Sequence, residues 1–248
     1  MITYSKKCDF SGYTAILAAP SVGNTSQLCL DLIISTLRAT YYGMIWHEAV
    51  LPFVGADPYN EESRKICTSN DVYFSEKHKL LLIQFRAPLQ RDHQSNYLSQ
   101  LTEYLKNANI EQLVVLAGLF SHQRNDLEIS EGTFRFIACP KANDRHGKTL
   151  DSYNWTRMKE NNEENRFSCP KLHGAGFTRS LFNMCCKVDI PCIALLIFCS
   201  EGDNSYDATQ LLMKLNSWLL FMPEDLKNIV YPPSWKYLFG NSVPLNIY

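Results

Sequence analysis

Six short apolar runs, at residues 13–18, 41–46, 79–85, 112–117, 134–138 and 193–199, constrain this chain more than any other feature. They carry β-branched or aromatic residues, and none alternates polar with apolar positions. Continuous hydrophobicity over five to seven residues is the pattern of strands covered on both faces, as in a parallel sheet buried between helices.

The stretches between the runs have helical spacing. After Asn24, the residues Leu28, Leu32, Ile33 and Leu37 form an apolar stripe at steps of three and four, with Asn24 and Thr25 offering N-cap oxygens. A second helix is expected over 95–106, with Leu98, Leu101 and Leu105 on one face, and a third after an N-cap at Asp203 or Asn204, running through Leu211, Leu212, Leu215, Trp218 and Leu219. Strands alternating with helices imply right-handed βαβ units. The expected fold is therefore α/β: a three-layer sandwich, a doubly wound mostly parallel sheet flanked by helices, in a single domain over 1–248.

Two segments break the alternation. Residues 141–173 form a polar insert, rich in Asn, Lys, Glu, Arg and Ser, that reads as an exposed loop with a short helix around 153–159. The segment 223–248, with Pro232-Pro233 and then Trp235, Tyr237 and Phe239, reads as an extended C-terminal strap.

Charge and cysteine usage narrow the function classes. The formal net charge is -1 and the pI about 6.6, so nothing global attracts nucleic acid or an anionic membrane. Nine cysteines, scattered from Cys8 to Cys199 without a C-x-x-C pair, read as reduced thiols. Of these, Cys29, Cys192 and Cys199 lie in apolar segments where cysteine behaves as a small hydrophobe. The adjacent Cys185 and Cys186 are the one pattern that invites a redox assay. Lys6 and Lys7 are followed by no apolar h-region, so no signal peptide is expected and the sequons at Asn24 and Asn154 are chance matches. The run at 113–120 is far short of the roughly 20 residues that span a bilayer. A cytosolic protein is expected, with no membrane and no nucleic-acid partner.

Enzyme-like residues gather in three loops. The sequence Ala19-Pro20-Ser21-Val22-Gly23-Asn24 links a strand to a helix where backbone N–H groups could hold a phosphate, but it has neither G-x-G-x-x-G nor a P-loop ending. Gly23 and Asn24 read as a crowded turn and a cap. Ser121-His122-Gln123-Arg124-Asn125-Asp126 and Ser200-Glu201-Gly202-Asp203-Asn204 each follow a buried strand, the usual place for ligands in this architecture, and each also reads as a backbone-bonded turn. His47-Glu48 lacks the second histidine of a zinc-protease helix, since position 51 is Leu, and the other histidines are dispersed. No nucleophile elbow occurs. Catalytic, metal and cofactor residues are expected to be none; the competing reading is a doubly wound enzyme acting on nucleosides or phosphorylated small molecules through the 21–24 loop and Arg124.

Taken in order, six blocks resemble the proteasome assembly chaperone 2 (PAC2) family. They are Pro20-Ser21-Val22-Gly23-Asn24 with Gln27-Leu28 and Asp31-Leu32-Ile33-Ile34-Ser35-Thr36-Leu37; Val54-Gly55 with Asp57-Pro58-Tyr59; Gln123-Arg124-Asn125-Asp126-Leu127; Gly174-Ala175-Gly176 with Thr178 and Leu181; Ser200-Glu201-Gly202-Asp203-Asn204; and Pro233-Ser234-Trp235 with Leu238-Phe239-Gly240.

The resemblance implies a non-catalytic, cofactor-free α/β chaperone that forms a heterodimer with proteasome assembly chaperone 1. The pair would hold α-type subunits of the 20S proteasome while the α-ring closes, prevent off-pathway α-ring dimers, and act in the cytoplasm and also in the nucleus. Obligate pairing would leave an apolar patch on the isolated chain. Related chaperones dock on the α-ring through a tail ending hydrophobic, tyrosine, any residue. Here Asn246, Ile247 and Tyr248 occupy those places, with tyrosine last rather than penultimate, so the docking contact is displaced by one residue.

Overall fold

Every one of the six apolar runs becomes a strand of one sheet. The computed structural model describes residues 2–4, 8–158, 169–223 and 225–237. The strands are β1 (Ile2–Tyr4), β2 (Thr14–Ala18), β3 (Thr40–Ile45), β4 (Val54–Ala56), β5 (Ile66–Thr68), β6 (Asn70–Ser75), β7 (Leu80–Phe85), β8 (Gln112–Phe120), β9 (Phe134–Ala138) and β10 (Cys192–Cys199). The α-helices are α1 (Thr25–Leu37), α2 (Arg91–Asn107), α3 (Asp126–Ser130), α4 (Pro140–Ser152), α5 (Thr178–Val188) and α6 (Ser205–Leu219).

The main sheet has the order β1-β3-β6-β7-β2-β8-β10-β9. Its centre, β7-β2-β8-β10, is parallel and its wings are antiparallel. This follows from the connections. Parallel neighbours need a helical crossover, which α1, α2 and α5 provide, whereas β6 and β7 are joined by a tight turn in which Lys79 adopts φ 50°. All of β2, β7 and β10 is buried, as is β8 up to Phe120. Helices α1 and α6 pack together on one face, and α2 and α5 on the other, completing three layers. Among the described residues no helix is long and apolar enough to cross a membrane.

Helix ends differ from expectation in their chemistry. Asn24 precedes α1 at φ 52° and makes no side-chain cap. Asn204 precedes α6 but turns its amide to the Gly202 carbonyl, while Asp203 Oδ1 accepts the Ser205 N–H at 2.9 Å. Asp203 therefore does the work of the cap. Helix α2 starts four residues before the expected 95, with Tyr97 joining Leu98, Leu101 and Leu105 on its buried face.

The start of the polar insert is helical where a loop was expected. Residues 140–152 form α4, while 153–158 form a turn and a bridge from Arg157 to β9 rather than a short helix. Pro140 suits the first helical turn, and the Cys139 sulfur accepts the Ala142 N–H. The buried face of α4 is only Ala142, Gly147 and Leu150, too small a stripe to stand out from its charged surroundings.

In its described residues, 223 and 225–237, the strap is short-turned rather than fully extended. Asn216 grips Met222 through its N–H and carbonyl, both at 2.9 Å, and two 3-10 turns follow at Leu226–Asn228 and Pro233–Tyr237. The strap crosses α1, where Val230 N–H donates to Thr36 Oγ1, and reaches the loop after β4, where Ser234 N–H donates to the Pro58 carbonyl.

Candidate functional site

From β2 the chain turns toward the β7 wing and from β8 toward β10, so the carboxyl ends of β2 and β8 form the switch point where α/β folds hold ligands. The three loops singled out in the sequence converge there, and the chain itself fills the place. Ser21 Oγ accepts the Gly118 N–H at 2.9 Å, and Cys199 Sγ lies 3.2 Å from Thr25 Oγ1. The segment after the insert lies across the crevice: Val22 N–H donates to the Gly174 carbonyl and Phe120 N–H to the His173 carbonyl. A Cβ at Gly176, φ 55°, would sit 2.0 Å from the Pro20 oxygen, and one at Gly23, φ 64°, 2.3 Å from Asn204 Nδ2. Only glycine allows this closure.

Arg124 is likewise engaged, its Nε on the Ser121 carbonyl and its guanidinium 5.5 Å from the Phe198 ring centre. Asn125 and Glu128 cap α3 reciprocally, each side chain accepting the other's backbone N–H. Of the loop N–H groups that could cradle a phosphate, those of Ala19, Val22 and Asn24 are hydrogen-bonded to carbonyls of the chain itself.

An unfilled surface lies at the other end of the β3–β6 wing. There β4 and β5 form a separate two-stranded sheet. Trp46 is 69% exposed, Val54 65% and Ile66 63%, with Leu51 and Phe53 also exposed beside them. Trp46, Phe53, Val54 and Ile66, with Met44, Val50 and Pro52, line a cleft of about 740 Å³. Contiguous exposed apolar residues on this scale mark an interaction surface. On the hairpin's other side a cleft of about 670 Å³ is lined by Tyr41, Tyr59, Tyr73, Arg64, Lys65 and Ile66.

A buried ionic network ties this hairpin to the core. Asp31 of α1 accepts hydrogen bonds from Arg86 Nη2 at 2.8 Å, Gln84 Nε2 at 2.7 Å and the Tyr59 hydroxyl at 2.5 Å, and Arg86 Nη2 also donates to the Tyr59 oxygen at 3.0 Å. Burial works against the Arg86 charge, but Asp31 and Tyr59 more than compensate, so the guanidinium stays charged well beyond its ordinary range. Burial, reinforced by Asp31, pushes the Tyr59 phenol up. Ser69 Oγ joins the hairpin's entry to its exit, accepting from Phe53 N–H and donating to the Leu51 carbonyl. Asp71 accepts from both Thr68 N–H and Thr68 Oγ1, and burial raises its carboxyl despite those bonds. At the cleft's rim, His47 Nδ1 accepts the Ala49 N–H and its ring meets Tyr97 edge-on.

The tail residues Asn246, Ile247 and Tyr248 lie outside the described residues. Among the described residues no cluster of three or more His, Cys, Asp or Glu could hold a metal ion.

The model of the PAC2 family matches residues 15–222. The chain belongs to the PAC2 family. Similar relatives are the proteasome assembly chaperone 2 of Danio rerio, 33% identical over 95% of this chain and 94% of the relative, and that of Homo sapiens, 31% identical over 95% of each. Among solved structures, Pyrococcus furiosus PbaA, described as an archaeal homolog of proteasome-assembly chaperone, superposes with a TM-score of 0.68 at 15% identity, covering 96% of this chain and 92% of that one. At that identity the likeness speaks for the fold alone.

The PAC2 blocks noted in the sequence divide between the two places described. Pro20 to Asn24, Gly174 to Gly176 and Ser200 to Asn204 close the crevice, while Asp31 and Tyr59 build the network under the hairpin. Sequence reasoning missed the hairpin itself, because β4 and β5 are three residues each and lack a periodic signal. The available hint was the density of Trp46, Leu51, Phe53 and Val54 around Pro52.

Proposed function

We propose that this chain, a member of a proteasome assembly chaperone family, works as one half of a heterodimer with proteasome assembly chaperone 1. The heterodimer holds α-type subunits of the 20S proteasome during α-ring closure and prevents off-pathway α-ring dimers. It acts through protein contacts without catalysis, in the cytoplasm and also in the nucleus. The observation that carries this reading is the apolar cleft at Trp46, Phe53, Val54 and Ile66, mounted on a hairpin braced from the core. A lone monomer gains nothing from exposing these side chains; a permanent partner covers them. The α-ring contact is assigned to Asn246, Ile247 and Tyr248.

Trp46→Asp combined with Val54→Asp tests the surface. Both positions are exposed, so the isolated fold is expected to persist by circular dichroism, while co-purification with proteasome assembly chaperone 1 from a co-expression host falls at least tenfold. Undiminished co-purification would remove the hairpin from the heterodimer contact. The competing enzyme reading is tested by a thermal-shift screen with nucleosides and inorganic phosphate: a shift would favour it, and a flat screen leaves the chaperone reading standing.

A further inference from the structure

The cleft of about 670 Å³ on the hairpin's second side joins an aromatic floor to a basic rim. In the floor, Tyr41 meets the Tyr73 ring edge-on at 5.5 Å between centroids, and Tyr59 meets Tyr73 in the same way at 5.4 Å. Tyr41 is 40% exposed and Ile66 63%, and both line the cleft.

The charges there do not cancel. Arg64 and Lys65 belong to the lining and are exposed, and exposed Arg38 adjoins the lining residue Ala39. None of the three side chains makes an ion pair or hydrogen bond among the described residues. The neighbouring carboxylates are already engaged: Asp31 with Arg86, Asp71 with Thr68, Asp57 with the Tyr59 N–H at 3.0 Å, and Glu61 with Lys236 at 3.1 Å. Glu62, on the same loop, lies outside the lining. The lining thus sets two exposed cations against one half-buried carboxylate, on a chain whose net charge is -1. The hydroxyls of Tyr41 and Tyr73 add donors. Neither makes a hydrogen bond among the described residues, and burial raises both phenols, so they stay protonated.

Cations and hydroxyl donors around an aromatic floor match carboxylates that flank an apolar side chain. Nucleic acid fits less well, because rings standing at 75° and 86° to one another offer no row of parallel faces on which successive bases stack.

We propose that this cleft is a second docking surface, which takes an acidic segment of a partner protein with an aromatic or aliphatic side chain among its carboxylates. The apolar side chain packs against Tyr41 and Ile66, while the carboxylates accept hydrogen bonds from Arg64, Lys65 and the tyrosine hydroxyls. Ile66 lines both clefts, so this surface is continuous with the one at Trp46. The two select differently, since the Trp46 cleft has no lysine or arginine in its lining.

The probe is a short fluorescein-labelled peptide with a phenylalanine flanked on both sides by aspartates, titrated with the full chain and followed by fluorescence anisotropy. Saturable binding is expected, weakening as sodium chloride is raised. Arg64→Glu combined with Lys65→Glu, at two exposed positions where circular dichroism should not change, weakens binding at least tenfold. Exchanging the peptide's phenylalanine for alanine weakens it at least fivefold, and the same peptide with lysines for aspartates does not bind. Trp46→Asp leaves the peptide's affinity as it is, so this proposal and the heterodimer reading fail separately. Absence of saturable binding, equal binding of the lysine peptide, indifference to the double charge reversal, or a loss on Trp46→Asp would overturn the assignment. Displacement of the probe by oligothymidylate at lower concentration than by unlabelled peptide would also overturn it, in favour of single-stranded nucleic acid.

Discussion

Replacing Asp31 by leucine removes the common acceptor of the Arg86 guanidinium, the Gln84 amide and the Tyr59 hydroxyl. The Asp31 side chain is 7% exposed and that of Arg86 18%, so water reaches the arginine only in part. Taking one member from a buried pair costs about 3–5 kcal/mol, because the other is left charged and unpaired. The partial access of water to Arg86 favours the lower end, about 3 kcal/mol. For a chain of this length each kcal/mol moves Tm by about 2–4 °C, which gives a fall of about 6–12 °C. Asp31→Leu with Arg86→Met removes both charges and should recover about 2 kcal/mol of the loss, a coupling that urea titration resolves through the midpoint. Circular dichroism and tryptophan fluorescence follow the same transitions. If Asp31→Leu alone costs less than about 1 kcal/mol, or if the two substitutions simply add, the network does not brace the hairpin as described.

Tyr59→Phe keeps the ring and deletes the hydroxyl that donates to Asp31; a loss of about 1.5–3 kcal/mol, the range for a hydrogen bond to a charged group, is expected in urea unfolding. Gly176→Ala drives a Cβ against the Pro20 carbonyl at a positive φ and should lower Tm far more than Gly12→Ala, where φ is also positive but nothing lies within 4 Å. Burial lowers the His47 pKa, so on acidification the unfolded chain takes up that proton first. The stability His47 lends is therefore present above its ordinary value of about 6.5 and is lost as pH falls below it. Wild type should lose more Tm between pH 7 and pH 5 than His47→Gln, and equal slopes would contradict this. Deleting Ile247 and Tyr248 is expected to weaken α-ring affinity in a pull-down while leaving the heterodimer intact.

The sheet was legible because parallel central strands must be apolar on both faces. All six runs, including 112–117 and 193–199, became strands within a few residues of their expected bounds. The helices with large side chains at steps of three and four, α1, α2 and α6, were legible for the same reason. What escaped lacked such a stripe. Helix α4 buries only small residues, β4 and β5 are too short for a period, and β6 carries its polar Asn70 and Asp71 inward to Tyr97 and Thr68. Of the candidate site, the meeting of the loops at 19–24, 121–126 and 200–204 at the switch point was legible, because each follows a buried strand. That a segment more than 140 residues away from the first of them fills it depends on long-range contacts such as Gly174 to Val22, which no local pattern encodes. The apolar hairpin surface was equally hidden, since Trp46 and Ile66 become neighbours only through the fold.

The central claim is that this chain pairs with a second chaperone and engages proteasome α-subunits. Affinity purification of the tagged full chain from cells, with identification of the co-purifying proteins, tests it most directly. The account predicts proteasome assembly chaperone 1 in near-equal amount, together with α-type subunits free of mature β-type subunits. Recovery of the chain alone, or only with fully assembled 20S particles, would contradict it.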